Sequence, residues 1–253
     1  LLKFTESCFT LKKAAYPKIT EILRQLETLG KRVIIRDEAV AYVNNELEKA
    51  ELQKEEKRLL DAVRSGTFEV PFLKAKLYPF QKEGIVFLAM RERVLLADEM
   101  GLGKTLQSIG AALMMEKYRP IKDVLVVCPS SVKHQWQSEI EKFCDKTVCV
   151  IDGLKHKRAA CYAGDAFFKI ANYETIVRDI DILKNRLFDL VILDEAQRIK
   201  NWETKTAQAV KRLNKRAAFV LTGTPIENKL EELYSVVQFL DNRLLGPTWE
   251  FTQ

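Results

Sequence analysis

A chain of 253 residues with 47% hydrophobic and 30% charged side chains is long enough for one sizeable core and too apolar to be disordered. Its formal charge of +6 permits nucleic-acid binding without demanding it. No apolar run reaches the ~18 residues that cross a bilayer, residues 1–18 lack the apolar stretch of a signal peptide, and the five cysteines contain no C-x-x-C pair, so composition points away from membranes, export and zinc.

Residues 1–70 read as a mainly helical segment or the end of a preceding domain. Residues 19–29 keep helical spacing, Val33-Ile34-Ile35 is strand-like, and a long charged helix runs from about Asp37 to Arg64. In that helix Val40, Val43, Leu47, Leu59, Leu60 and Val63 hold approximate helical spacing, with Asp37 as N-cap and Ser65-Gly66 as the stop. No chemistry is evident there, and packing or linking is the expected role. Over 71–245 the pattern becomes short apolar runs at 94–97, 124–128, 148–151, 168–171, 190–193 and 218–221, separated by amphipathic helices. Near-continuous apolarity suits strands covered on both faces. The expectation is an α/β fold: a doubly wound, mainly parallel sheet with helices on both faces, whose ligands lie beyond the carboxyl ends of the strands. Cys128 and Cys149 fall inside such runs and are expected as buried thiols of a reducing compartment. The start at Leu1 and the end at Phe251-Thr-Gln253 read as those of a fragment.

Two of these runs deliver the chemistry. After 94–97 comes Asp98-Glu-Met-Gly-Leu-Gly-Lys-Thr105, followed by a helical stretch from Leu106. Glycines at 101 and 103 let backbone amides turn inward onto a phosphate, and the helix N-terminus adds partial positive charge. Lys104 is placed for the β and γ phosphates of ATP and the Thr105 hydroxyl for Mg2+. Asp98, Glu99, Met100, Gly101, Leu102, Gly103 and Leu106 complete the loop, although the general phosphate-loop pattern has glycine where Asp98 stands. After 190–193 comes Asp194-Glu-Ala-Gln197. Two carboxylates at the mouth of a buried strand need a cation or hydrogen bonds. Asp194 is expected to hold Mg2+ through water, and Glu195 to orient and deprotonate the attacking water. Alone, each segment has an ordinary reading, a Gly-rich turn or a strand-to-loop boundary; as a pair they read as a catalytic ATP site.

Two basic clusters stand out. One is Lys155-His-Lys-Arg158; the other comprises Arg198, Lys200, Lys205, Lys211, Arg212, Lys215 and Arg216 against the single acid Glu203. Each is either a solvated face or a nucleic-acid face.

These residues resemble the first RecA-like lobe of superfamily-two helicase-like ATPases, and within them the Swi/Snf family, from about 77 to 246. The phosphate loop reads as it does in that family, where Asp98 is an expected occupant. Leu77-Tyr-Pro-Phe-Gln-Lys-Glu-Gly84 resembles the segment whose glutamine, Gln81, contacts adenine, and Gln197 joins the nucleotide-binding set. Cys128-Pro-Ser-Ser-Val-Lys-His-Gln-Trp136 resembles motif Ia, which implies nucleic-acid backbone contacts from Ser130, Ser131 and Lys133; Trp136 is expected to pack against the sheet. Ala171-Asn-Tyr-Glu174 resembles a turn lying along one DNA strand, with Asn172 and Tyr173 as contacts. Leu221-Thr-Gly-Thr-Pro-Ile-Glu-Asn228 resembles motif III, in which Thr222, Gly223 and Thr224 link the two sites and the threonines bond toward Asp194 and Gln197. Its continuation from Lys229 to Leu240 is the most family-specific stretch.

The resemblance implies a motor that translocates on double-stranded DNA and remodels protein–DNA complexes. It also implies backbone contacts without base specificity, and a second RecA-like lobe supplying arginines to the γ phosphate. That lobe is not in these 253 residues, so the chain alone is expected to be nearly inactive. A strand-separating RNA or DNA helicase and a nucleotide-gated interaction module are the alternatives. Residues 246–253 would open a family insertion. Gln197, where many eukaryotic relatives have histidine, resembles a bacterial variant; a bacterial member would act at the nucleoid, a eukaryotic one in the nucleus.

Overall fold

The computed structural model describes residues 3–5, 8–10, 21, 25, 28, 37–70, 72–223 and 230–241. Val33 to Ile35, Thr224 and residues 246–253 lie outside the described residues. Strands Lys3–Thr5 (β1) and Cys8–Thr10 (β2) form an antiparallel pair, which no periodicity in the sequence announces. Helix α1, Asp37–Arg64, has the bounds its charge pattern predicts. It stops because Gly66 adopts φ 76° and donates its amide to Val63 O at 3.0 Å, a left-handed closing turn that costs glycine no Cβ clash. The chain divides into two compact units, Leu1–Leu59 and Leu60–Gln253.

In the second unit every predicted apolar run is a strand: β3 (Arg93–Leu96), β4 (Val124–Cys128), β5 (Val148–Val150), β6 (Phe168–Asn172), β7 (Leu187–Leu193) and β8 (Asn214–Leu221). They form one parallel sheet in the order β3-β8-β7-β4-β6-β5. The helices between them are α2 (Pro79–Ala89), α3 (Lys104–Tyr118), α4 (Lys133–Phe143), α5 (Lys155–Ala163), α6 (Tyr173–Leu183), α7 (Lys205–Lys211) and α8 (Leu230–Leu240). Every residue of β4 is fully buried, as a central strand covered on both faces requires. Leu125, Val127, Val191, Leu193, Ala218 and Val220 pack with Tyr162, Ile176, Val210 and Phe239 in one apolar layer. Their neighbours along the strands, Val126, Ile192 and Phe219, are equally buried and point to the opposite side, where α2, α3 and α4 lie.

At the amino edge of the sheet, carboxylates are matched by cations. Asp123 pairs with the buried Lys169 at 2.9 Å and with Arg186 at 2.6 Å, and Asp189 pairs with Arg216 at 3.4 Å. The carboxyl edge contrasts with this arrangement.

Two sequence expectations are corrected. Cys128 and Cys144 are buried free thiols, and burial pushes the Cys128 thiol up to about 12. Cys149, however, is joined to Cys161, because β5 is the edge strand and α5 lies across it. The 198–216 run is not one basic face either. Lys211 donates to Gln238 Oε1 at 2.9 Å, Lys215 lies 4.0 Å over the Phe239 ring, and burial lowers both amines to about 8. In the other cluster Arg158 forms a paired contact with the fully buried Asp179, while Lys155, His156 and Lys157 are exposed.

Candidate nucleotide site and its nucleic-acid side

Strands β3, β8 and β7 are neighbours, so the loops leaving them meet at one edge. The β3 loop turns into α3 through Gly101 at φ 84° and Gly103 at φ 76°. Gly103 is doubly constrained: a Cβ there would also lie 2.6 Å from Gln81 Nε2. Gln81, expected to contact adenine, is 8% exposed; it accepts from Tyr78 N at 3.1 Å and donates to Leu102 O at 3.3 Å, bracing the phosphate loop. Lys104, the first residue of α3, donates to Asp98 O and Glu99 O, both at 2.9 Å. An ammonium has three donors, so one remains for a phosphate. Thr105 and Leu106 follow in the first turn, whose amides have no partner within the helix. Met100 is 73% exposed at the tip.

Sequence reading passed over Gln107. It is fully buried and donates to Leu102 O at 3.2 Å and to Asp98 Oδ2 at 3.4 Å. Asp98 is therefore turned onto α3, where it ties the two ends of the loop. A glutamine among the apolar residues of a buried helix was the available signal. Beside the loop opens a groove of about 800 Å³ lined in part by Phe80, Glu83, Phe87, Asp98 and Leu102.

Asp194 follows β7 and donates its amide to Val127 O at 2.8 Å, which fixes its height against β4. Its carboxylate accepts from Trp136 Nε1 at 2.8 Å and from Glu195 N at 3.0 Å. Burial raises the Asp194 carboxyl above the usual carboxylate range, and the Trp136 hydrogen bond pulls it partly back. Unlike the amino-edge acids, Asp194 and Glu195 carry no salt bridge among the described residues. Glu195 sits at φ 52°, a left-handed conformation costing an L residue ~1–2 kcal/mol and concentrated at functional sites. Gln197 donates to Glu195 Oε2.

From β8, Thr222 donates its amide to Leu96 O at 3.1 Å and its hydroxyl to Gln197 Oε1 at 3.5 Å, giving one of the expected motif III contacts. A Cβ on Gly223 would lie 2.5 Å from Met100 Cγ and 3.6 Å from Lys104 Nζ, so this turn lies directly against the phosphate loop. Helix α8 reaches the same region: Ser235 donates to Ile199 O at 2.5 Å, anchoring the turn that carries Gln197.

The expected nucleic-acid residues separate into two groups. Ser130 and Ser131 are exposed on a single helical turn before α4. Lys133 is not available: it is 5% exposed and paired with Asp152. Asn172 caps α6 by accepting from Thr175 N at 2.8 Å. Tyr173 is 1% exposed and donates to Asp194 O at 2.7 Å. Lys133 and Tyr173 hold structure in place instead of presenting polar atoms to a backbone, whereas Asn172 is half-buried and uses only its Oδ1 as the cap.

A phosphate loop, an acidic pair and a threonine–glycine turn on adjacent strands of a parallel sheet define the nucleotide-binding lobe of a RecA-like, superfamily-two ATPase. Residues 80–253 match the family model described as SNF2-related domain. Human DNA repair and recombination protein RAD54B is 36% identical over 194 residues, covering 70% of this chain and 21% of that protein. Human TATA-binding protein-associated factor 172 is 32% identical over 225 residues, covering 77% of this chain and 12% of that protein. A solved structure described as the Sulfolobus solfataricus SWI2/SNF2 ATPase core in complex with dsDNA matches with a TM-score of 0.67 at 36% identity, covering 73% of this chain and 40% of that one. The chain belongs to the SNF2 family and has the fold of its ATPase core. It spans about a fifth of the length of RAD54B. These relatives are human and archaeal, so the bacterial source expected from Gln197 is not supported.

Proposed function

We propose that this chain is the ATP-binding lobe of a DNA-dependent ATPase that translocates on double-stranded DNA and remodels protein–DNA complexes. The observation that carries this reading is the meeting of Lys104, the Asp194-Glu195 pair and the Thr222–Gln197 contact on the loops of adjacent strands. The loop amides, the α3 N-terminus and Lys104 bind the phosphates, and the groove beside Phe80 takes the adenosine.

The donor set fits magnesium. Among the described residues no three His, Cys, Asp or Glu converge on a metal, which suits an ion carried by phosphates and one carboxylate. Asp194, half-buried and without a salt bridge among the described residues, and the Thr105 hydroxyl would hold it. When bound, the ion neutralises charge on the phosphates. Glu195 takes the proton of the attacking water while the water oxygen bonds to the γ phosphorus. The bond to the bridging oxygen breaks, and that oxygen leaves with the electron pair as ADP. The Glu195 carboxylate favours this enzymatic role over a nucleotide switch, which has no need of a group that takes a proton from water.

Ser130 and Ser131 take DNA phosphates, a mode that reads no bases. A second RecA-like lobe supplies arginines worth ~10³–10⁵-fold in rate. Residues 1–253 alone are therefore expected to bind Mg2+·ATP but to release phosphate no faster than their Lys104→Ala variant. Equilibrium binding and phosphate release check this. A chain that binds no nucleotide overturns the site, and DNA-stimulated turnover by the chain alone overturns the need for a partner lobe.

A further inference from the structure

Asp194 is reached from the nucleic-acid side of the lobe by two side chains that neither phosphate loop nor motif III contains. Trp136 lies one turn into α4, immediately after the exposed Ser130 and Ser131. Its side chain is 1% exposed, so it packs against the sheet as expected. The packing also aims the indole N–H, a donor with no other function, at Asp194 Oδ2 at 2.8 Å. Glu195 N occupies Oδ1 at 3.0 Å, and Tyr173 Oη donates to the Asp194 carbonyl at 2.7 Å. Both carboxylate oxygens and the backbone are thus held from the protein side, which fixes the rotation of the carboxylate about Cβ–Cγ.

We infer that Trp136 is a positioning residue for magnesium: its indole N–H holds the Asp194 carboxylate in the orientation that receives the ion. The inference rests on Asp194 being the magnesium-binding carboxylate of the proposed ATP site. A ligand carboxylate that is itself hydrogen-bonded is oriented in advance, and removing such an outer partner costs ~10–100-fold in metal affinity. Packing alone would predict a different pattern. A tryptophan that only fills space affects nucleotide binding equally with and without metal, whereas one that orients a metal ligand affects only the metal-dependent part.

The test is nucleotide binding by the 253-residue chain, read with a fluorescent ADP analogue in EDTA and across a Mg2+ titration. Trp136→Phe keeps the ring and removes the donor. The expected result is unchanged affinity in EDTA and a Mg2+ midpoint raised about 10-fold or more, with no further change when Trp136→Phe is added to Asp194→Asn. An unchanged midpoint, an equal loss in EDTA and Mg2+, or an additive loss in the Asp194→Asn background overturns it. If the wild-type chain binds the analogue with no Mg2+ effect, the magnesium reading of Asp194 fails and takes the inference with it; a normal wild-type Mg2+ effect isolates the failure to Trp136. Indole ¹H–¹⁵N spectra test the contact without a Trp136 variant. Asp194→Asn is expected to shift the Trp136 resonance and leave that of Trp202 in place, and an unmoved Trp136 resonance contradicts the hydrogen bond.

Discussion

Glu195→Gln is expected to abolish ATP turnover while ATP binding survives. Glutamine keeps the length and shape of the side chain and can still accept from Gln197, the partner of Glu195 Oε2. It cannot take a proton from water. General-base catalysis contributes ~10²–10⁴-fold, and that is the loss expected in DNA-stimulated phosphate release by the full-length protein. Binding is carried by the loop at 98–105 and should be unaffected in an equilibrium titration. A fall in turnover of less than about tenfold would assign the proton to another group.

The second large effect falls on binding. Lys104→Ala removes the cation that the loop holds against Asp98 O and Glu99 O. Glu99 is exposed and Asp98 half-buried, so water can replace the ammonium and the melting temperature of the nucleotide-free protein should change little. Nucleotide affinity should fall about 10–100-fold, the equivalent of a charge-assisted hydrogen bond. Calorimetric titration with Mg2+·ATP and thermal denaturation separate the two quantities. An unchanged affinity would mean that Lys104 does not touch phosphate.

What the sequence disclosed follows from how local each signal is. Runs such as Val124–Cys128 are continuous in the chain, and the conclusion that they are strands needs only burial on both faces. The phosphate loop and the acidic pair are equally local, since glycine spacing and a carboxylate after an apolar run carry their own chemistry. Contacts made at long separation were hidden. Lys133 looked like a phosphate ligand because Asp152, which neutralises it, lies 19 positions away. Trp136 looked like packing alone because its acceptor is 58 positions away. Lys211 and Lys215 counted toward a basic face until α8 placed Gln238 and Phe239 beside them. The amino ends of β7 and β8 were also missed, because Asp189, Lys215 and Arg216 interrupt the apolar pattern; Asp189 and Arg216 pair across the sheet edge, and Lys215 lies over the Phe239 ring.

The nucleotide site and the nucleic-acid side are joined through few atoms. Asp194 receives Trp136 from α4 and Tyr173 from α6, while Thr222 meets Gln197 two residues beyond Glu195. On the proposed function, movement of α4 on a phosphate backbone would reach the Asp194 carboxylate through one hydrogen bond, while Tyr173 ties α6 to the Asp194 backbone carbonyl. That arrangement suits a motor in which DNA engagement and hydrolysis are coupled.

The most direct test of the central claim is steady-state phosphate release by the full-length protein with blunt double-stranded DNA, compared with single-stranded DNA and RNA of the same length. Stimulation by blunt duplex without a fork or free strand, lost in Glu195→Gln, is the predicted result. Turnover driven by single strands alone, or indifferent to nucleic acid, would contradict it.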